Sequence, residues 1–244
     1  MKKLNNLKTG STMKALAIDT SLTRITIAAK NDDKTAYLTL DIGMKQSEKL
    51  IPSFEYVLSQ VDLKTSELDY TVLCKGPGSF TGLRLAFSAL KAIELAYDIP
   101  VYGVGTLDTY SYAYSDLDIP VLCAVDAKKN RFYLKAQYKG NVLIDDGDYQ
   151  LEDACKGILK IESDRIFVCG SDAALFIERI KELVPAKKFL CLRGTPNETE
   201  NLFAIAEEMM DKKIPTLKDF DGPVYIRASE AEENLTARSN NASD

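Results

Sequence analysis

One segment concentrates the residue types that could grip an anion: Gly76-Pro77-Gly78-Ser79-Phe80-Thr81-Gly82-Leu83-Arg84. It follows an apolar run, Tyr70 to Cys74, and precedes a stretch with helical spacing. Glycine permits positive φ and close backbone approach, and a strand-to-helix turn can aim backbone N–H groups at a phosphate. The Ser79 and Thr81 hydroxyls can cap the helix or donate to an anion. The spacing fits no standard nucleotide loop. G-x-G-x-x-G needs glycine where Thr81 stands, and the Walker pattern needs a lysine that is absent between Gly76 and Arg84. G-x-S-x-G fails because Gly78 directly precedes Ser79. Two readings stay open: a structural turn with a capped helix, and an anion or nucleotide contact through Gly76, Gly78, Ser79, Thr81, Gly82 and Arg84.

Asp19 and Asp126 each end an apolar run. A strand-end carboxylate can hold magnesium, orient water or cap the following turn. Asp19 leads into Thr20-Ser21-Leu22-Thr23 and Asp126 into Ala127-Lys128-Lys129-Asn130, neither with a phosphate-gripping glycine. Turn capping is the simpler expectation, with Asp19 and Ser21 kept among the anion-contact candidates. The basic Lys128 to Arg131 stretch reads as a solvated turn or a phosphate contact.

The chain contains no histidine. That removes Ser-His and Cys-His nucleophile pairs and any zinc site built on histidine. A carboxylate-only magnesium site or a lysine mechanism remains formally open; no catalytic residue and no metal ligand is assigned. The five cysteines are widely spaced without a C-x-x-C pair, as expected of reduced thiols packed in the strands of a cytosolic protein.

The elements that must position these residues follow from periodicity. Lys14 to Asp19, Arg24 to Lys30 and Lys34 to Leu40 read as an antiparallel meander. Ser47 sits at an N-cap position, and Leu50, Ile51, Phe54, Val57, Leu58 and Val61 follow as one apolar stripe, with Pro52 obscuring the helix start. Tyr70 to Cys74 is a strand, Leu83 to Tyr97 a helix, Val101 to Val104 a strand and Thr106 to Tyr114 helical. The second helix is rich in small residues (Ala86, Ser88, Ala89, Ala92, Ala96), which suit close packing against its own sheet or another chain. The second half then restarts: Pro120 to Asp126 and Arg131 to Tyr138 are strands, and Asp126/Arg131 repeats Asp19/Arg24 at a constant offset. Arg165 to Cys169 and Phe189 to Leu192 are further strands. Asp172 to Leu183 and Leu202 to Met210 are helices. The order predicts α/β architecture with mixed sheets flanked by helices.

The chain has 244 residues, 45% hydrophobic and 27% charged, with net charge -5. That supports one large core or two smaller ones and argues against a free-standing nucleic-acid binder, whose face is usually basic. No apolar run reaches membrane-spanning length, so no membrane partner is expected. Residues 1–12 read as an N-terminal extension, without the apolar core of a secretory signal and with Met13 as a plausible start; the expected location is cytoplasmic. Residues 13–114 and 115–235 form the expected subdomains, with a polar tail over 236–244.

Four places carry a family resemblance: Lys14 through Ser21, Ser47 through Pro52, Lys75 through Arg84, and Pro223-Val224-Tyr225-Ile226-Arg227. On these the chain resembles the TsaB (YeaZ) family, which supports formation of N6-threonylcarbamoyladenosine at position 37 of tRNAs reading ANN codons. The resemblance implies an ASKHA (actin/Hsp70-like, ribonuclease H-like) fold with two related subdomains. It implies a non-catalytic subunit that forms a heterodimer with the catalytic TsaD, works with the ATPase TsaE, self-dimerises, and meets tRNA only in the assembled complex. It implies no cofactor of its own, with ATP or ADP at the assembled interface, and no peptidase activity. The family's interface helices match Ser47 to Gln60 and Leu83 to Tyr97, giving Ser47, Glu48, Leu50, Ile51, Phe54, Leu85, Ala86, Ala89, Ala92 and Ile93 as partner-facing candidates. One departure stands out: Gln46 occupies a position where the family often has histidine. A stand-alone ASKHA-type ATPase or kinase is the alternative, disfavoured by the missing glycine after Asp19.

Overall fold

The structure, a computed structural model, describes residues 13–192 and 197–227. The chain runs β1 (Ala15–Asp19), β2 (Arg24–Asn31), β3 (Lys34–Asp41), α1 (Gln46–Gln60), β4 (Tyr70–Gly76), α2 (Phe80–Tyr97), β5 (Val101–Gly105) and α3 (Thr106–Ser111). The same order then repeats: β6 (Val121–Asp126), β7 (Arg131–Tyr138), β8 (Asn141–Gln150), α4 (Leu151–Leu159), β9 (Arg165–Cys169), α5 (Ala173–Ile180), β10 (Lys188–Leu190) and α6 (Thr199–Asp211). Each half forms a five-stranded sheet, ordered β3-β2-β1-β4-β5 and β8-β7-β6-β9-β10. In each, an antiparallel meander is joined by a strand running parallel to its first member. This is the ASKHA plan, an α/β fold of two related mixed sheets flanked by helices.

The first sheet is buried on both faces, so β1 reads as an unbroken apolar run. Leu16, Ile18, Ile25, Ile27 and Leu73 share one core with Leu50, Phe54, Val57 and Leu58 of α1 and Ala86, Phe87 and Leu90 of α2. The opposite face, through Ala15, Ala17, Ala28, Tyr70 and Val72, packs on Leu202, Phe203 and Ala206 of α6. The second sheet buries Leu122, Ala124, Phe132 and Leu134 against α4 and α5, and α3 also packs on β6 and β7.

The compact units are therefore not contiguous in sequence. The first comprises residues 1–75, 82–104 and 197–222; the second comprises 76–81, 105–196 and 223–244. This differs from the expected contiguous division at 114/115, because each half's last helix joins the unit of the other half's sheet. Periodicity cannot see this, since an apolar stripe records that a face is buried but not against what. The expected extension over 1–12 and the tail over 236–244 lie outside the described residues.

Several boundaries differ from the periodicity. The expected Ser47 cap is not used: α1 starts at Gln46, runs on from a 3-10 turn, and has no side-chain cap. Pro52 lies inside it on the exposed side and forgoes the bond its N–H would make to the Glu48 carbonyl. Only Thr106–Ser111 is α-helical in the expected Thr106 to Tyr114 segment; Tyr112–Tyr114 is a 3-10 turn. Strand β8 and helix α4 have no counterpart in the sequence reading. Cys155 falls on α4, not on a strand, while Cys191 is exposed; Cys74, Cys123 and Cys169 are buried strand thiols.

Candidate functional site

The β1–β2 turn gathers buried polar groups of the first unit. Asp19 is buried and its Oδ1 accepts from the Ser21 N–H at 2.8 Å, so the carboxylate caps its own turn. The Thr20 hydroxyl donates to the Gly82 carbonyl at 2.7 Å. Gly82 sits so close that an added Cβ would lie 1.9 Å from the Thr20 carbonyl oxygen. Gln46, also buried, donates through Nε2 to the Leu22 carbonyl at 2.8 Å. A neutral amide thus ties the start of α1 to this turn, and Gln46 does so without an ionisable group.

Behind the turn lies a buried ion pair absent from the sequence reading. The Arg24 guanidinium meets Glu198 Oε1 at 2.7 Å, with side chains 14% and 2% exposed. Burial pushes the Glu198 carboxyl up to about 7; Arg24 opposes the rise, and the charge of Asp19 adds to it. Among the described residues, the Ser21 hydroxyl and the second Glu198 oxygen have no hydrogen-bond partner. No sequence signal joins residues 174 positions apart.

The constant Asp19/Arg24 and Asp126/Arg131 offset hides a register change. Asp19 pairs with Thr26, whereas Asp126 pairs with Phe132. Ile18 opposite Ile27 corresponds to Ala124 opposite Leu134, so Asp126 takes the place of Thr20, not of Asp19. Asp126 still caps its own turn, its Oδ1 accepting from the Lys128 N–H at 2.8 Å.

The anion-contact candidates divide between the units. Asp19, Ser21, Gly82 and Arg84 belong to the first, with Arg84 exposed; Gly76, Gly78, Ser79 and Thr81 belong to the second. Gly76 is buried with φ of 116°, a conformation that calls for glycine. Ser79 and Thr81 are exposed. Among the described residues no cluster of three or more His, Cys, Asp or Glu could hold a metal ion.

The partner-facing candidates also separate. Leu50, Phe54 and Ala86 are buried in the unit's own core, which leaves them nothing to offer another chain. Leu85, Ala89 and Ile93 are half-buried against that core, and Ser47, Glu48, Ile51 and Ala92 are exposed. The exposed faces add residues the sequence reading did not single out: Tyr56 on α1, and Leu95 (90% exposed) and Tyr97 on α2. The nearly all-round apolar α2 signalled Leu95 and Tyr97, but periodicity did not say which side faces outward; Tyr56 lies off the α1 stripe. No helix among the described residues is long and apolar enough to cross a membrane.

A family model described as TsaD, tRNA N6-adenosine threonylcarbamoyltransferase, matches residues 43–163. The tRNA threonylcarbamoyladenosine biosynthesis protein TsaB of Bacillus subtilis (strain 168) is 28% identical over 228 residues, covering 90% of this chain and 96% of that protein. The protein of the same description from Haemophilus influenzae is 21% identical over 91% of this chain and 97% of its own length. In fold, the chain is similar to the structure described as YeaZ from Pseudomonas aeruginosa, with TM-score 0.71 and 20% identity, covering 87% of this chain and 99% of that one.

Proposed function

The chain belongs to the TsaB (YeaZ) family, and from that premise we propose that it is the non-catalytic subunit of a tRNA-modifying assembly. Its relatives' role in threonylcarbamoyladenosine biosynthesis is the observation that carries this reading. In it, the chain binds and activates TsaD for modification at position 37 of tRNAs reading ANN codons. TsaE joins the assembly, ATP or ADP is held at the assembled interface, and tRNA is met there. Without histidine the chain cannot supply histidine ligands to a metal, which suits a supporting role beside a catalytic subunit.

The contact surface we assign is the exposed side of α1 and α2, through Ser47, Glu48, Ile51, Ala92 and Leu95. Small residues allow a partner helix close approach, and exposed Ile51 and Leu95 supply apolar area that association would bury. The same face serves self-dimerisation, so homodimer and heterodimer compete. The test is reconstitution of tRNA threonylcarbamoylation from TsaD, TsaE and the adenylate-forming enzyme, with and without this chain, beside co-purification with TsaD. Modification that requires the chain supports the reading; equal modification without it sinks the assignment.

A further inference from the structure

A cavity of about 220 Å³ in the second unit brings together two motifs to which the proposed function assigns no contact. One is the basic turn after β6; the other is the segment Pro223 to Arg227. Phe80 and Tyr225 stack in its wall, ring centroids 4.7 Å apart and planes 29° from parallel. Tyr133 adds a third ring to the lining, and Lys128, Lys129 and Arg227 supply cations. The site is built and not merely assembled from loose side chains. Arg227 donates to the Ala127 carbonyl at 3.1 Å and lies 3.9 Å from Asp148, which holds the C-terminal segment against the basic turn. Lys128, Lys129 and Asn130 all take left-handed backbone conformations, with φ of 61°, 53° and 60°.

Aromatic faces beside cations recognise a ring attached to a phosphate, because stacking is indifferent to base identity while the cations follow the backbone. Size and charge narrow this further. The volume admits one base and falls short of the space that encloses a drug-sized ligand. Asp126 pairs with Lys128 at 2.8 Å, and Asp148 faces Arg227, so part of the positive charge is already neutralised. A site whose cations are partly offset in this way suits one phosphodiester better than a triphosphate. Lys128, 74% exposed, stands where a strand could pass. The chain's net charge of -5 means that any such contact is local.

We propose that this cavity is a contact site for single-stranded RNA, with one unstacked base laid on the Phe80–Tyr225 pair and its phosphate met by Lys128 and Lys129. The proposal rests on the tRNA-modification reading and adds to it an RNA contact made by this chain's own residues.

The test uses the full chain and a fluorescent single-stranded RNA hexamer at low salt, with AMP and ATP as separate probes. Saturable RNA binding is expected, weakened about tenfold in Tyr225→Ala and largely retained in Tyr225→Phe. Lys129→Gln should lower the slope of log affinity against log salt by about 0.7. Photo-crosslinking of wild-type chain to RNA carrying 4-thiouridine needs no variant and should label the peptides holding Tyr225 or Tyr133. Absence of saturable RNA binding, unchanged affinity in Tyr225→Ala, crosslinks elsewhere only, or binding of AMP or ATP in place of RNA would each overturn the proposal. Failure here with co-purification and dependence on the chain intact leaves the subunit role standing; loss of those with RNA binding intact removes the subunit role instead.

Discussion

The Thr20 hydroxyl donates to the Gly82 carbonyl at 2.7 Å, and the Thr20 carbonyl oxygen occupies the space a Gly82 Cβ would need, 1.9 Å from it. The β1–β2 turn and the first turn of α2 are thus in backbone contact, and the last glycine of the Gly76–Arg84 segment serves packing. Backbone cannot swing aside as the tip of a flexible side chain can. Gly82→Ala is expected to destabilise the chain by about 2–3 kcal/mol, read as a lower urea midpoint at unchanged m-value.

The Arg24–Glu198 pair makes stability depend on pH. An unfolded glutamate ionises near 4.5, whereas buried Glu198 holds its proton to about 7. Between those values the folded chain carries a proton the unfolded chain has released, so this group's contribution falls as pH rises. Glu198→Gln should remove that dependence, flattening the stability profile between pH 5 and 7 by roughly 2 kcal/mol. Arg24→Met removes the cation that opposes the rise, so Glu198 keeps its proton past pH 7. Where it does ionise, at about pH 8.5, the buried carboxylate is left unpaired and the substitution should cost about 3 kcal/mol. The cost should be smaller at pH 5, where that carboxyl is protonated. Urea unfolding at three pH values reads both effects.

Two alanines on α2 distinguish core from contact surface. Ala86 is fully buried and Ala92 exposed. Ala86→Glu should prevent folding or lower Tm severely, because a buried charge without a partner is strongly disfavoured. Ala92→Glu should leave Tm within a few degrees and abolish co-purification with TsaD. Full-strength binding by a folded Ala92→Glu chain would remove α2 from the proposed contact surface.

Thiol chemistry reports the fold directly. Cys191 is exposed, and the other four cysteines are buried. Burial pushes the Cys123 thiol up, with Cys169 beside it adding to the effect, so it is a poor nucleophile. An aromatic disulfide reagent should titrate one thiol rapidly in the native chain and all five in denaturant. Rapid labelling of a second native thiol would show that the packing around β6 and β9 is looser than described.

Most of the element order was legible in the sequence. Apolar runs marked β1, β4, β6 and β9 because strands buried on both faces need no alternation, and the stripe from Leu50 to Val61 marked α1 because a helix against a sheet buries one side. The sequence also carried the family resemblance, through four short motifs in fixed order, and a hint of the duplication, through two aspartate–arginine spacings. Strand β8 escaped because Asn141–Gln150 is largely exposed and acidic, leaving no apolar period to read.

The rest follows from long-range packing. It placed α6 with the first sheet and α3 with the second, since a stripe does not name its partner. It showed that Asp126 matches Thr20 in register: Ile27 follows Thr20 by seven positions and Leu134 follows Asp126 by eight, so an equal aspartate–arginine spacing does not carry equal pairing. It turned Leu50 and Phe54 of α1 and Ala86 of α2 inward and left Ala92 and Leu95 outward on α2, whose composition is apolar nearly all round. It also joined Arg24 to Glu198 and Phe80 to Tyr225 across distances in sequence that no local pattern spans. Composition and period fix what an element is; which side chains meet depends on long-range packing, and that is where the chemistry of this chain resides.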